Sequence, residues 1–333
     1  MQEKVMRNHM EERFGRVLNY SLTPPLPMSL NIELNNTCNH KCSFCSFHGP
    51  NTIHQIKPSV MEFEFANRIL LQAKELGIGR KELGFYLAGE PLLYDRLTEV
   101  IAYAKQLGFP YTFLTTNGTL ATTKRIEELV DAGLDSIRFS VNGADRETYR
   151  EFHGVDQFDK VYQNIRHLYE YREANHLSIA ISLSCVITKK TKNMQEKVRK
   201  VFSGYVDDIL FIPVMLDRLD EKKFKKEDYE VFEDSDTQTI AKIDPEYICP
   251  LLFDTMYIGS GGEVMPCCRA YDFDCSFGNL HDNFDLKAAW YGESYDRYRK
   301  IFLEGASDKG TICEGCLLRR KSVGRFFMEE SDS

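Results

Sequence analysis

Short runs of apolar residues alternate with amphipathic segments from about residue 29 to residue 214. This order is typical of a parallel sheet whose strands are connected by helices. Between the strands, apolar residues recur every three or four positions, as at Val161, Ile165 and Leu168, which indicates a helix with one buried face. Right-handed connections of this kind produce an open or closed barrel. Six strands are predicted, at residues 29–35, 82–88, 110–116, 135–141, 177–187 and 207–214.

Alternation within the fourth strand separates an apolar face from a polar one. Ile137, Phe139 and Val141 would meet the helices, so Arg138 and Ser140 would point into the barrel. The same alternation turns other polar residues inward: Asn31, Glu33, Asn35, Tyr86, Glu90, Ser182 and Ser184. Buried polar groups are costly unless they are paired or bind a ligand, so the interior is predicted to hold a hydrophilic ligand. The alternative is an internal ion pair between Arg138 and either Glu33 or Glu90 that only stabilises the barrel.

The chain changes character after the sixth strand. Residues 216–245 are rich in Asp, Glu and Lys and are predicted to form a solvated connector. Beyond this stretch the density of cysteines rises, and Gly261 and Gly262 predict the turn of a hairpin. Four segments follow: an N-terminal extension at 1–28, the barrel at 29–215, the connector at 216–245 and a small module at 246–333.

Composition and charge limit the expected partners. The 333 residues are 43% apolar and carry a formal net charge of -8 at pH 7. This acidity gives no attraction for phosphate backbones or anionic membranes, so nucleic acid and membrane are not expected partners. No stretch approaches the roughly 20 apolar residues of a membrane helix, and the charged N-terminus has no apolar signal core. A cytoplasmic location is expected, where ten cysteines indicate metal chemistry rather than disulfides.

The first group of cysteines comes directly after the first predicted strand. Cys38, Cys42 and Cys45 have the spacing C-x3-C-x2-C. Three thiolates on one loop can bind one small inorganic centre, and sulfur ligands favour zinc, copper or iron–sulfur clusters. Because a structural zinc site normally takes four ligands, three cysteines leave one position open for a cofactor. His40 offers an alternative, since its imidazole could complete a zinc site.

The second group lies in the C-terminal module. Cys249 and Cys267 precede a helical segment, and Cys313 and Cys316 follow it as a C-x2-C pair. Four thiolates form a complete tetrahedral set. Their spacing alone allows either a structural zinc ion or an iron–sulfur cluster.

The three-cysteine loop, with the aromatic Phe44 before its last cysteine, resembles the signature of the radical S-adenosylmethionine (SAM) superfamily. In that family three cysteines bind three irons of a 4Fe–4S cluster, and the fourth iron binds the amino and carboxylate groups of SAM. Electron transfer then cleaves SAM to a 5'-deoxyadenosyl radical. The resemblance implies an α/β fold, a partial (β/α)6 TIM-like barrel with a small C-terminal twitch/SPASM-type iron–sulfur module.

The same resemblance suggests which residues contact SAM. Gly89 and Glu90 resemble the family's "GGE" motif, in which glycine allows close backbone approach and the glutamate accepts from the SAM ammonium group. Ala88 stands where the family usually has glycine. The predicted SAM-binding residues are Phe44, Ala88, Gly89, Glu90, Asn117, Ser140, Asn142 and Ser184.

Residues 261–290 and the closing C-x2-C pair resemble the C-terminal extension of SPASM and twitch radical SAM enzymes, which carries auxiliary 4Fe–4S clusters. A full SPASM module would place another cysteine where this chain has Ser322. The resemblance therefore implies the shorter twitch form and one auxiliary cluster. Its predicted ligands are Cys249, Cys267, Cys313 and Cys316.

Three cysteines remain. Cys185 shares a strand face with Ile181 and Leu183 and is predicted to be a core residue. Cys268 and Cys275 flank the auxiliary site. Each could be a packing residue, a substitute ligand or a thiol that donates a hydrogen atom.

The expected function is that of a radical SAM oxidoreductase acting on a polar small molecule. We expect dehydrogenation of a carbohydrate or aminocyclitol, with the auxiliary cluster as electron acceptor and a flavodoxin or ferredoxin as electron donor. Arg138 is the candidate for substrate contact. The alternatives are a peptide maturase or epimerase, for which Cys268 would be the hydrogen donor, and a non-enzymatic zinc-binding scaffold. Metal analysis separates them, since two clusters require about eight irons per chain.

Overall fold

The computed structural model describes residues 19–53, 56–188, 194–214, 246–270 and 275–314, together with residues 220, 222, 223, 316 and 319. Residues 1–18, nearly all of the predicted connector at 216–245, and Ser322 lie outside the described residues. The division of the chain into four segments therefore stays a prediction.

All six predicted strands are present, each somewhat shorter than expected, and two more follow in the C-terminal part. They are β1 (Ser29–Ile32), β2 (Glu82–Phe85), β3 (Thr112–Thr116), β4 (Ser136–Ser140), β5 (Ala180–Ile187), β6 (Asp208–Pro213), β7 (Thr255–Ile258) and β8 (Val264–Met265). The sheet has the order β6-β5-β4-β3-β2-β1-β7-β8. β7 pairs in parallel with β1, and β8 is antiparallel to β7. The predicted α/β barrel is confirmed, and the C-terminal strands extend its sheet.

Helices connect the parallel strands, as the spacing of apolar residues predicts. They are α1 (Phe63–Leu76), α2 (Leu97–Gln106), α3 (Thr123–Asp131), α4 (Arg146–His153), α5 (Phe158–Ala174), α6 (Gln195–Phe202), α7 (Leu251–Asp254), α8 (Leu286–Trp290) and α9 (Glu293–Leu303). None of the helices within the described ranges has the length and apolar character needed to cross a bilayer.

The predicted hairpin joins β7 to β8. Gly262 has a φ of 84°, a left-handed conformation that glycine adopts at little cost, and its N–H donates to the Gly259 carbonyl at 2.9 Å. Because the hairpin is short and β7 is fixed against β1, the residues after β8 are held beside the barrel. Cys267 follows this strand by two residues.

The two faces of the barrel strands have the predicted character. Ile137 and Phe139 are buried in the apolar core between the sheet and the helices. On the opposite face the Tyr111 hydroxyl donates to Ser136 Oγ at 2.7 Å, and Arg138 Nε donates to Ser182 Oγ at 3.4 Å. The interior of the barrel is therefore lined by hydroxyl and guanidinium groups.

A buried ion pair joins α5 to the start of β6. Arg172 Nη1 lies 2.6 Å from Asp207 Oδ2, which also accepts the Ile181 N–H at 2.8 Å. Both charged side chains are at most 10% exposed.

Replacing Arg172 with methionine should lower the free energy of unfolding by about 3–5 kcal/mol, because the carboxylate stays buried without its cation. Urea denaturation measures this. The control is Arg166→Met, which removes an exposed pair with Glu170 and should cost no more than about 1 kcal/mol; equal losses would contradict the prediction.

Candidate functional site

The cysteine loop, residues 37–50, follows β1 and carries the first predicted ligand set. Cys38, Cys42 and Cys45 are all free thiols and only partly exposed. The Sγ of Cys38 accepts the His40 backbone N–H at 3.4 Å, and the Sγ of Cys45 accepts the His48 backbone N–H at 3.3 Å. Amide donors directed at sulfur stabilise thiolates, which are the form that binds metals.

The electrostatics of this loop favour a bound cation. Burial raises the pKa of the Cys38 thiol to about 11; the charges of Glu90 and Cys45 add to the rise, while hydrogen bonds from His40 and Asn117 oppose it. Burial, followed by the charges of Cys45 and Cys38, also raises the pKa of Cys42 well above its ordinary value. Charges on neighbouring sulfurs thus disfavour the ionisation of Cys38 and Cys42. A bound metal centre offsets this cost, so the donor set fits an iron–sulfur cluster with three protein ligands.

Two buried histidines contact this loop. His40 Nδ1 lies 3.3 Å from His153 Nδ1, which is also 3.5 Å from Cys42 Sγ. Burial lowers the pKa of His40 to about 4 and lowers that of His153 well below its ordinary value. Potential ligand atoms of His40, Cys42 and His153 all lie within 4.8 Å of one another. His40 is the zinc-ligand alternative predicted from the sequence, whereas His153 carries no sequence signal that singles it out.

Glu90 follows β2 and is almost completely buried. Its carboxylate accepts the Thr116 hydroxyl at 2.6 Å, the Asn117 backbone N–H at 2.8 Å and the Leu92 backbone N–H at 3.0 Å. Burial raises the pKa of this carboxyl, while the same three donors lower it. The Asn117 side chain in turn donates to Asn39 Oδ1 at 2.7 Å. Glu90 and Asn117 therefore join the ends of β2 and β3 to the cysteine loop, and their contact with SAM stays a prediction.

Ala88 and Gly89 lie close to the end of β1. Their backbone N–H groups donate to Glu33 Oε1 at 2.8 and 3.0 Å, and the Ser260 hydroxyl donates to Glu33 Oε2 at 3.4 Å. A Cβ on Gly89 would lie 2.1 Å from the Asn35 carbonyl oxygen, so no other residue fits without moving the backbone. Gly89 thus lies close to the protein's own backbone at Asn35. A role for these two residues in binding SAM stays a prediction.

Three further predicted SAM contacts lie where β4 ends beside the middle of β5. Asn142 Oδ1 accepts the Val186 N–H at 2.6 Å, and the Asn142 backbone N–H donates to His153 Nε2 at 2.9 Å. Ser140 Oγ lies 3.5 Å from Ser184 Oγ, across the two strands. The structure therefore brings Ser140, Asn142 and Ser184 together at one end of the barrel.

The remaining predicted residues of the barrel are Phe44 and Arg138. The Phe44 ring lies 6.3 Å from the ring of Phe152 in α4, which connects the cysteine loop to that helix. Arg138 is only partly buried, and its Nε donates to Ser182 Oγ at 3.4 Å. Its guanidinium group thus projects among hydroxyl groups within the barrel interior.

The second group of cysteines lines one small cavity in the C-terminal part. This cavity has a volume of about 30 Å³ and contains the predicted auxiliary ligands Cys249, Cys267, Cys313 and Cys316. Arg269 is 8% exposed, and its Nη1 donates to Cys316 Sγ at 2.9 Å. Burial, followed by the charges of Cys249 and Cys316, raises the pKa of Cys313 to about 12. Four facing thiols and a buried guanidinium group fit a cluster that is anionic with its thiolate ligands.

The other three cysteines are packed differently. Cys185 is 4% exposed in the core, which confirms the prediction for this residue. Cys268 and Cys275 pack around Tyr257 and Met265 beside the auxiliary cavity. Burial, followed by the charge of Cys268, raises the pKa of the ligand candidate Cys267 well above its ordinary value. The functional roles considered for Cys268 and Cys275 stay predictions.

Comparison with known proteins identifies two regions. The family model "Radical SAM superfamily" matches residues 32–183, and the model "Iron-sulfur cluster-binding domain", or SPASM, matches residues 249–317. A probable GTP 3',8-cyclase from Saccharolobus islandicus is 34% identical over 157 residues, which are 47% of this chain and 46% of that protein. The corresponding protein of Sulfurisphaera tokodaii is 28% identical over 57% of this chain and 53% of its own length. The matches span about half the length of these curated relatives.

Solved structures share the fold across most of the chain. They include anSMEcpe with bound AdoMet (TM-score 0.66, 20% identity, 92% of each chain) and BtrN in complex with AdoMet and 2-DOIA (0.53, 17%, 87% of this chain and 93% of BtrN). Streptococcus suis SuiB bound to precursor peptide SuiA gives a TM-score of 0.64 at 18% identity, over 94% of this chain and 73% of SuiB.

The two family matches coincide with the two cysteine groups. The first runs from the end of β1 into β5 and contains the three-cysteine loop, and the second begins at Cys249 and ends just beyond Cys316. Both donor sets fit iron–sulfur clusters on their own chemistry. The chain therefore carries a radical SAM domain at residues 32–183 and a SPASM iron–sulfur cluster-binding domain at residues 249–317, and the cofactors of these two domains are SAM and 4Fe–4S clusters.

Proposed function

We propose that this radical SAM enzyme is an oxidoreductase that dehydrogenates a polar small molecule, a carbohydrate or aminocyclitol. The observation that carries the proposal is the convergence of four cysteines on one cavity. Because four cysteine ligands leave no iron free to bind substrate, a cluster held there suits electron transfer. It would accept the second electron of the oxidation.

Different residues of the barrel would bind the first cluster and SAM. Cys38, Cys42 and Cys45 would hold the first cluster. Phe44 of the cysteine loop and the predicted residues within or just after β2 to β5 would hold SAM. When bound, these cofactors supply a radical that abstracts a hydrogen atom from an unactivated carbon. The protein orients the substrate and excludes water. A flavodoxin or ferredoxin would supply the electron that starts each turnover.

The barrel interior supports a polar substrate. The guanidinium group of Arg138 is permanently charged and donates to Ser182, and hydroxyl groups of Tyr111 and Ser136 lie on the same face. Such groups match the oxygens of a sugar or cyclitol. Replacing Arg138 with methionine should raise KM for the substrate about tenfold or more while SAM cleavage without substrate continues, because the arginine would bind only the substrate.

Product analysis tests the proposal. Anaerobically reconstituted enzyme is incubated with SAM, a strong reductant and carbohydrates or aminocyclitols deuterated at single carbons. We expect deuterium in 5'-deoxyadenosine and a product that has lost two hydrogens: one atom to the adenosyl group, and one proton to solvent as an electron passes to the auxiliary cluster. A product with unchanged oxidation state would reject dehydrogenation. GTP belongs in the panel because the curated relatives are named as GTP 3',8-cyclases.

A radical SAM epimerase acting on a peptide is the second candidate. It is favoured by the position of Cys268, which follows the ligand candidate Cys267 in the chain and packs against the same apolar cluster. In an epimerase this thiol would donate a hydrogen atom to a peptide radical. If the enzyme is an epimerase, Cys268→Ala should stop turnover of its peptide substrate. If it is a dehydrogenase, the same variant should still oxidise its sugar substrate.

A further inference from the structure

His153 ends α4 and is enclosed beneath the cysteine loop. It is 1% exposed, and its ring stacks on Tyr149 with the centroids 4.0 Å apart and the planes 15° apart. The loop is attached to the same helix end, because the Ser43 N–H donates to the Phe152 carbonyl at 2.9 Å and the Lys41 N–H donates to the His153 carbonyl at 3.4 Å. The imidazole is thus held in a fixed orientation relative to the loop.

The contacts of this ring determine where its proton lies. The Asn142 backbone N–H is 2.9 Å from Nε2, and a backbone N–H can only donate. Nε2 is therefore the acceptor, and the ring proton is on Nδ1. A proton on Nε2 as well would direct two N–H groups at each other. The Nδ1–H faces Cys42 Sγ at 3.5 Å and His40 Nδ1 at 3.3 Å.

This proton position argues against a metal site made of His40, Cys42 and His153, although their potential ligand atoms lie close together. A neutral histidine that binds a metal through Nδ1 carries its proton on Nε2. In His153 the Asn142 N–H occupies the Nε2 lone pair. The Nδ1–H can reach either Cys42 Sγ or His40 Nδ1. A metal-bound thiolate carries negative charge and is the stronger acceptor of the two, so the ring is suited to donate a hydrogen bond to Cys42.

We propose that His153 is a positioning residue whose Nδ1–H donates to the Cys42 thiolate and raises the reduction potential of the SAM-binding cluster. The inference rests on the proposed role of Cys42 as a ligand of that cluster. Reduction adds negative charge to the cluster and its sulfurs, so a donor to sulfur stabilises the reduced form more than the oxidised form. The spacing of the cysteines does not predict the contact between His153 and Cys42.

Two substitutions separate the donor at Nδ1 from the acceptor at Nε2. In His153→Asn the amide nitrogen can take the place of Nδ1 and keep the donor, but the acceptor for Asn142 is lost. In His153→Gln the amide oxygen can take the place of Nε2 and keep that acceptor, but the donor is lost. A merely structural role, which holds the end of β4 through Asn142, predicts the larger effect for the asparagine variant.

The experiment is a redox titration of the holoenzyme followed by electron paramagnetic resonance, using the signal that changes when SAM is added. We expect the reduction equilibrium constant of this signal to fall about tenfold in His153→Gln, which is about 59 mV for one electron, and to stay near its original value in His153→Asn. Tyr149→Phe is the control, because it keeps the stacked ring and removes a buried hydroxyl that has no partner among the described residues; its potential should not change.

The experiment distinguishes an error in the role of the cysteine loop from an error in the role of His153. If no signal responds to SAM in the parent enzyme, the proposed role of the cysteine loop is wrong. If the signal is present, any pattern other than a fall confined to His153→Gln overturns the role of His153, including equal shifts in the two variants or a larger shift in His153→Asn.

Discussion

Cys42→Ala is expected to abolish SAM cleavage and to halve the iron content of the reconstituted chain. Cys42 lies in a set of only three thiols, so its loss leaves two ligands, too few to hold the first cluster. Iron should fall from about eight to about four per chain, since the auxiliary set is untouched. Formation of 5'-deoxyadenosine under a strong reductant should fall by at least about a hundredfold. Iron analysis and chromatography of the nucleoside measure both effects.

Cys185→Ala is the matched control, because it removes a cysteine that is 4% exposed in β5 and packed in the apolar core. It should cost about 1 kcal/mol of stability and leave iron content and SAM cleavage unchanged. If Cys42→Ala keeps all of its iron, the cysteine loop does not hold a cluster. Zinc instead of iron in the parent protein would point to the scaffold alternative.

The barrel strands were predictable because strand alternation is a local property of the sequence. Residues two apart share a face, so the apolar set at Ile137 and Phe139 and the polar set at Ser136 and Arg138 could be separated without a structure. Which strands pair is not a local property. β7 lies beside β1, although more than two hundred residues separate them, and the pattern of apolar residues carries no information about that partner.

The grouping of the cysteines could be predicted from the sequence, but the packing of the backbone around them could not. The cysteines could be grouped because identical ligands at short spacing indicate a metal centre, and the cavity contains all four of the second group. The backbone around them was not predictable. The requirement for Gly89 comes from the Asn35 carbonyl, a contact between separate loops.

His153 was missed because a single histidine in an amphipathic helix gives no periodic signal. The one available indication was its place at a helix end, next to Gly154. That glycine has a φ of 71°, and a Cβ there would lie 2.7 Å from the Lys41 carbonyl oxygen, so the helix end packs closely on the cysteine loop. The sequence indicates that the helix ends at this glycine, but it does not indicate which residues the helix end contacts.

Cys313→Ala is expected to separate the two clusters. Cys313 is buried beside Cys249 and Cys316, so its loss should release the auxiliary cluster and lower iron from about eight to about four per chain. The cysteine loop is untouched, so 5'-deoxyadenosine should still form within about threefold of the original rate. Dehydrogenated product should fall by at least about a hundredfold, because the second electron has no acceptor.

The comparison with Cys42→Ala makes the result specific, because both variants lose the same amount of iron and differ only in which reaction stops. Loss of SAM cleavage in both would show that Cys313 supports the whole fold, and circular dichroism of the purified variant would reveal that unfolding. A folded Cys313→Ala that lacks four irons and still forms the oxidised product would contradict the proposed electron transfer. In that case the electron leaves the substrate radical by another route, and the C-terminal cysteines bind a cluster for structure.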